Sequence, residues 1–170
     1  MKAKQKIRPP RDTAVEQSSE TAPPGVRMQT ILVPVDLSEP SKRALRYAFA
    51  LAQQFGAKLI LLYAVEPVAT PDFAYHPLMK EPDEIAAAAE ENLKKLCVQE
   101  GIDSSWVEKV VVRSGVAHGE ITEAAKSLKA DLIVIATHGH TGLKHVLLGS
   151  TAERVVRHAG CPVLVVRGYG

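Results

Sequence analysis

One segment gathers the residue types that hold an anion: Ala136-Thr-His-Gly139-His-Thr-Gly142-Leu-Lys-His-Val-Leu-Leu-Gly149-Ser150-Thr151. Gly139 and Gly149 let a backbone come close to a ligand. Gly149-Ser150-Thr151 precedes a run with helical spacing, and a helix start presents N–H groups and the positive end of a dipole. A strand, a glycine loop and a helix N-terminus make a phosphate cradle. The same letters have a ligand-free reading, because Ser150 and Glu153 fit the Ser-x-x-Glu capping box. Asp36, directly after an apolar run, is equally double-edged. It can accept hydrogen bonds from a ribose or a base, or it can cap the helix that follows.

Other chemistries lack their signatures. There is no Gly-x4-Gly-Lys-Ser/Thr, no Gly-x-Gly-x-x-Gly and no Gly-x-Ser-x-Gly, which argues against a P-loop motor, a dinucleotide dehydrogenase and an α/β-hydrolase. His138, His140 and His145 lie close together with Cys161 further on, but no spacing matches a zinc site, and no metal site is expected. No nucleophile–base pair stands out, so no catalytic residue is assigned. His158 falls in the last turn of a helix, where positive charge suits the dipole. Cys97 and Cys161 read as packing thiols.

These residues need a scaffold, and the rest of the chain alternates regularly. Residues 31–35, 58–65, 106–113, 131–136 and 162–167 are short apolar strands. Between them, residues from Ser38 to Gly56, 83–100, 117–129 and 150–159 have helical periodicity. Ser38 with Pro40 marks a helix start and Gly56 a helix end. Strands joined by helical crossovers give an α/β fold, a doubly wound five-stranded parallel sheet with helices on both faces. In such a sheet a ligand sits beyond the carboxyl ends of the strands. The sequence puts Pro34-Val35-Asp36, Ala64-Val65-Glu66, Arg113-Ser114-Gly115 and Ala136-Thr137-His138-Gly139 there. The stretch from Glu66 to Pro82 is a long proline-containing connection, functional or mobile.

With 170 residues, 46% hydrophobic and 24% charged, the chain has the length and composition of one globular domain. Its formal charge of +2 is unevenly placed. Residues 1–27 carry Lys2, Lys4, Lys6, Arg8, Arg11 and Arg27 against Asp12, Glu16 and Glu20, with four prolines and no periodicity. They are expected to be a disordered tail, leaving residues 28–170 as the folded domain. The near-neutral body calls for no nucleic acid, and no apolar run reaches the ~18 residues of a membrane span. Two cysteines without a disulfide framework suit a cytoplasmic protein.

The chain resembles the universal stress protein family. The likeness is carried by Met28-Gln-Thr-Ile-Leu-Val-Pro-Val-Asp-Leu-Ser38, by Val112-Arg-Ser-Gly-Val-Ala-His-Gly-Glu-Ile121, by residues 137–150 and by Cys161-Pro-Val-Leu-Val-Val166. It implies a flavodoxin-like fold and, in the ATP-binding branch, the motif Gly-x-x-Gly-x9-Gly-Ser/Thr. On this chain the motif falls on Gly139, Gly149 and Ser150, with Ala136 in place of the first glycine. The resemblance implies ATP, or ADP or AMP, with Mg²⁺. Pro34, Val35 and Asp36 would line the adenosine pocket, with Asp36 on the ribose, and Ala64 would pack on adenine. Ala136, Thr137, His138 and Gly139 would wrap ribose and phosphates, and Gly149, Ser150 and Thr151 would hold the phosphates. Lys144 could add charge near them. It further implies a homodimer paired through the last strand, from Pro162 to Arg167, an otherwise open sheet edge. The expected function is an ATP-binding stress or signalling protein without clear catalysis. The alternatives are a slow ATP hydrolase or phosphotransfer enzyme, with Asp36, His138 or Lys144 assisting, and a nucleotide-free interaction module.

Overall fold

The computed structural model describes residues 26–66, 82–137 and 149–167. Nearly all of the expected tail, the chain between residues 67 and 81, and residues 138–148 lie outside this set. His138, Gly139 and Lys144 are therefore not placed.

Nine principal elements follow one another: β1 (Thr30–Pro34), α1 (Glu39–Phe55), β2 (Lys58–Val65), α2 (Pro82–Gln99), β3 (Val107–Ser114), α3 (Ala117–Ser127), β4 (Leu132–Ala136), α4 (Ser150–His158) and β5 (Val163–Val166). All strand pairs are parallel, in the order β3-β2-β1-β4-β5. The expected five-stranded α/β sheet is present. After β3 the chain returns to the other side of β1, so the winding reverses between β1 and β4.

The strands are apolar throughout because both faces are covered, and alternation assigns each side chain to one of two cores. Ile31, Val33, Leu59, Leu61, Leu132 and Val134 face one way, onto Ala44, Leu45, Ala48 and Ala52 of α1 and Leu93 and Leu96 of α2. Leu32, Ile60, Leu62, Ile133 and Ile135 face the other way, onto Ile121, Ala124 and Ala125 of α3 and Ala152 and Val155 of α4.

Local chemistry sets the helix ends. Ser38 is the N-cap of α1, its side chain accepting from the Ser41 N–H, and Pro40 sits in the first turn. Gly56 closes the helix at φ +68°, a left-handed conformation suited to glycine, and donates its N–H to the Ala52 carbonyl.

One boundary moves. Trp106, expected to open the third strand, instead ends a 3₁₀ turn, Ser104–Trp106, whose Asp103 side chain accepts from the Ser105 N–H at 2.8 Å. Its ring meets Phe49 of α1 edge-on at 5.9 Å, with the Lys58 ammonium 5.7 Å from its centroid. A register shift opposite Leu59/Ile60 then absorbs one residue of β3. Val107 and Val110 thus reach the same core although three residues apart.

Leu45 is fully buried between α1 and the sheet. Leu45→Ala is expected to lower unfolding free energy by about 2–5 kcal/mol, from lost burial and the cavity left behind. Urea denaturation followed by circular dichroism measures it.

Candidate functional site

β1 ends at Pro34, but the Val35 N–H still donates to the Leu62 carbonyl at 2.8 Å, carrying the pairing one residue further. Asp36 is the first residue beyond it. Its Oδ1 accepts from the Ser38 N–H at 3.0 Å and from the Ser38 hydroxyl at 2.5 Å. Ser38 Oγ accepts in turn from the Ser41 N–H, while the Ser41 hydroxyl donates to the Ser38 carbonyl at 2.9 Å. Asp36 is thus not the cap of α1. It orients the serine that is. Leu37, between the two, is held at φ +67°, a conformation non-glycine residues seldom adopt. The hydrogen bonds on either side of it and its packing against the α1-side core hold it there.

β4 ends at Ala136 and Thr137 follows it, both buried. The Thr137 N–H donates to Val166 at 3.0 Å, and its carbonyl accepts from the Gly149 N–H at 2.8 Å. The chain that leaves at Thr137 therefore re-enters beside it. Gly149 is the N-cap of α4, with φ −68° and ψ 153°, and Ser150 is the first helical residue. The expected capping box does not form, because its serine lies one position inside the helix. Glu153 bonds Arg157 instead, at 2.8 Å. Gly149 thus gives α4 no side-chain cap of its own, and the first N–H groups of the helix have no partner within it.

These strand and helix ends surround a cleft of about 350 Å³. Pro34, Val35, Asp36, Ala64, Ala136, Thr137, Gly149, Ser150 and Thr151, singled out from the sequence, all line it. His138 and Gly139, singled out with them, and Lys144 fall outside the described residues. Leu62 and Ile135 supply apolar surface. Glu66, placed at the end of the second strand by the sequence, lines the cleft too, and Ser41, Tyr63, Ala117 and Ile121 line it without having been singled out. Ser41 and Tyr63 come from the first turn of α1 and from β2. For Ala117 and Ile121 there was no signal, because they arrive through the packing of α3. The third strand end, Arg113-Ser114-Gly115, does not line the cleft. β3 is an edge strand, and Arg113 is directed to Ser127 at 3.0 Å and Glu120 at 3.8 Å.

The electrostatics are lopsided. The described lining residues include Asp36 and Glu66 but no lysine, arginine or histidine. Positive potential comes from backbone N–H groups at helix starts. Among the described residues no group of three or more His, Cys, Asp or Glu side chains could hold a metal ion, and no helix is long and apolar enough to cross a membrane. The cysteines behave as packing thiols. Burial pushes the Cys97 thiol upward, and at Cys161 burial is aided by the Asp131 charge. His158 sits in the last turn of α4, with Nδ1 2.8 Å from the Arg154 carbonyl oxygen.

Comparison with known proteins adds a family to this geometry. Residues 28–167 match the model of the universal stress protein family. A universal stress protein of Methanocaldococcus jannaschii is 38% identical over 142 residues, covering 81% of each chain. The solved structure of universal stress protein UspA from Lactobacillus plantarum superposes with a TM-score of 0.73 at 33% identity, over 84% of this chain and 100% of that one. A universal stress protein solved in complex with cAMP superposes with a TM-score of 0.59 at 27% identity, over 83% and 98%.

Asp36→Ala removes the acceptor of two Ser38 donors and is expected to cost about 1–3 kcal/mol. Asp36→Asn, which keeps an acceptor oxygen, should recover most of it in the same denaturation experiment. At pH 8, Ellman's reagent should modify half-exposed Cys161 well before buried Cys97.

Proposed function

The chain belongs to the universal stress protein family, and on that premise we propose that its cleft binds an adenine nucleotide, ATP or the related ADP and AMP. The observation that carries this reading is the start of α4. Gly149 has an extended backbone that any residue can adopt, so its conformation does not call for glycine. What glycine supplies is the absence of a side chain. A serine or aspartate there would cap the helix from within. Glycine leaves the N–H groups of the first turn to something else, and an anion is their natural partner.

The remaining placements follow from the walls. Phosphates lie against Gly149, Ser150 and Thr151, beside Thr137. Asp36 accepts from ribose hydroxyls, and its attachment to Ser38 fixes where its carboxylate stands. Ala64, with Leu62 and Ile135 nearby, offers the low apolar surface on which a base packs. The small side chain of Ala136 at the first motif position suits close approach. His138 and Gly139 join the phosphate side by their place in the sequence. The cAMP complex of a structural relative supports a nucleotide as the ligand class.

Mg²⁺ suits this site as an escort of the phosphates. The protein offers hydroxyls from Ser150 and Thr151 and one nearby carboxylate, Asp36, and a small hard cation keeps waters and phosphate oxygens as its other ligands. Its contribution is to neutralise phosphate charge where the described wall provides no cation.

The nucleotide acts as a ligand of a stress-response protein in the cytoplasm, not as a substrate being turned over. Asp36 Oδ1 is engaged by two Ser38 donors, which suits holding better than proton abstraction. The working unit is a homodimer. β5 pairs with β4 on one side only among the described strands, and Leu164 on it is exposed, so its outer edge is suited to pairing with the same strand of a second copy.

Gly149→Asp tests the reading. The new carboxylate caps α4 and takes the place of the phosphate. Isothermal titration with Mg-ATP should show at least a tenfold loss of affinity, while chemical denaturation shows stability unchanged or raised by a few tenths of a kcal/mol. Equal affinity in the two proteins would overturn the assignment.

A further inference from the structure

Two helices begin on the cleft wall, α3 at Ala117 and α4 at Ser150. Neither is capped by its own N-cap side chain, the N-cap residues being Val116 and Gly149. Each presents first-turn N–H groups and a positive dipole end, although at α3 the Gly119 N–H already donates to the Val116 carbonyl at 3.0 Å. Two competing anion positions in one small cleft would leave a ligand's orientation undetermined.

The two ends are made unequal by a residue far away in sequence. Glu66, 51 positions before Ala117, places Oε1 3.0 Å from the Ala117 N–H and accepts its hydrogen bond. α3 thus carries a borrowed cap that is itself an anion. Glu120, in its first turn, adds a second carboxylate, which folds back over Gly115 into the space a side chain there would take. Arg113, 3.8 Å from Glu120, balances that charge but does not line the cleft. At α4 the only first-turn acid is Glu153, which is bonded to Arg157.

We propose that Glu66 is a specificity-determining residue of the cleft: its carboxylate occupies the anion position of α3, so that phosphate is confined to α4. The proposal rests on the nucleotide reading for its biological meaning. A phosphate approaching the α3 end meets a carboxylate already bound to the N–H it needs. No cation on the described wall offsets the repulsion. Neutral hydrogen-bond donors, hydroxyl or amino, meet an acceptor there instead. The ligand class selected is a nucleoside with its phosphates at one end and neutral donors at the other. Molecules anionic at both ends are refused.

The test uses inorganic phosphate as probe and backbone amide shifts as readout, on the full chain. In the wild-type protein, phosphate should shift the amides of Ser150, Thr151 and Ala152 and leave those of Ala117 to Glu120 in place. In Glu66→Ala the α3 amides should respond too, with apparent affinity at least tenfold above wild type. Glu66→Gln keeps an acceptor for the Ala117 N–H without the charge. It guards against loss of fold and should fall between the two. Wild-type α3 amides that respond as strongly as those of Glu66→Ala overturn the proposal, as do α3 amides silent in both variants. Should the α4 amides stay silent in every protein, the nucleotide reading fails instead, and the α3 amides still decide the role of Glu66.

Discussion

The structure depends on where the chain reverses direction across its sheet. β1 is central, β2 and β3 are laid down to one side of it, and β4 and β5 to the other. Right-handed crossovers then send α1 and α2 to one face and α3 and α4 to the other. At the carboxyl ends of β1 and β4 the following segments diverge, and no side chain from a helix directly above can fill the gap. The cleft is a consequence of that winding. Its floor is the apolar interior, its walls are strand ends, and two helix starts open onto it.

Polarity within the cleft comes from how each helix start is satisfied. α1 is closed locally, by Ser38 under the control of Asp36. α3 is closed at a distance, by Glu66. α4 receives no cap from its own N-cap residue, Gly149. Among the described residues, one crevice therefore has two acids on its wall and one helix start that its N-cap residue leaves uncapped. The backbone bond from Gly149 to Thr137 keeps that start beside the end of β4, whatever path the intervening chain takes.

Much of this was legible in the sequence, for identifiable reasons. β2 lies at residues 58–65 as read, because an apolar run between Gly56 and the first proline of a long connection has only one way to fit a doubly covered sheet. Ser38 and Gly56 bound α1 as read, because capping is chemistry between near neighbours. The cleft residues after β1 and β4 were found because ligand position in a doubly wound sheet follows from strand polarity. The capping box failed because its motif is necessary but not sufficient. Whether Ser150 is the cap or the first helical residue depends on where the preceding backbone turns, and Thr137 sets that from across the cleft. Trp106 moved out of its strand because Asp103 offered a local turn and Phe49 a place to pack.

The sequence by itself determined the element types, most of their ends and the segments that meet at the carboxyl side of the sheet, since periodicity, caps and strand polarity act over a few residues. Tertiary structure alone decided the strand order that makes β1–β4 the opening, and with it the exclusion of Arg113 from the cleft. It also decided that Gly149 and not Ser150 is the N-cap of α4, and that Glu66 closes α3. Each of these is a contact between residues far apart in the chain, and no local pattern encodes which distant group will arrive to satisfy a donor.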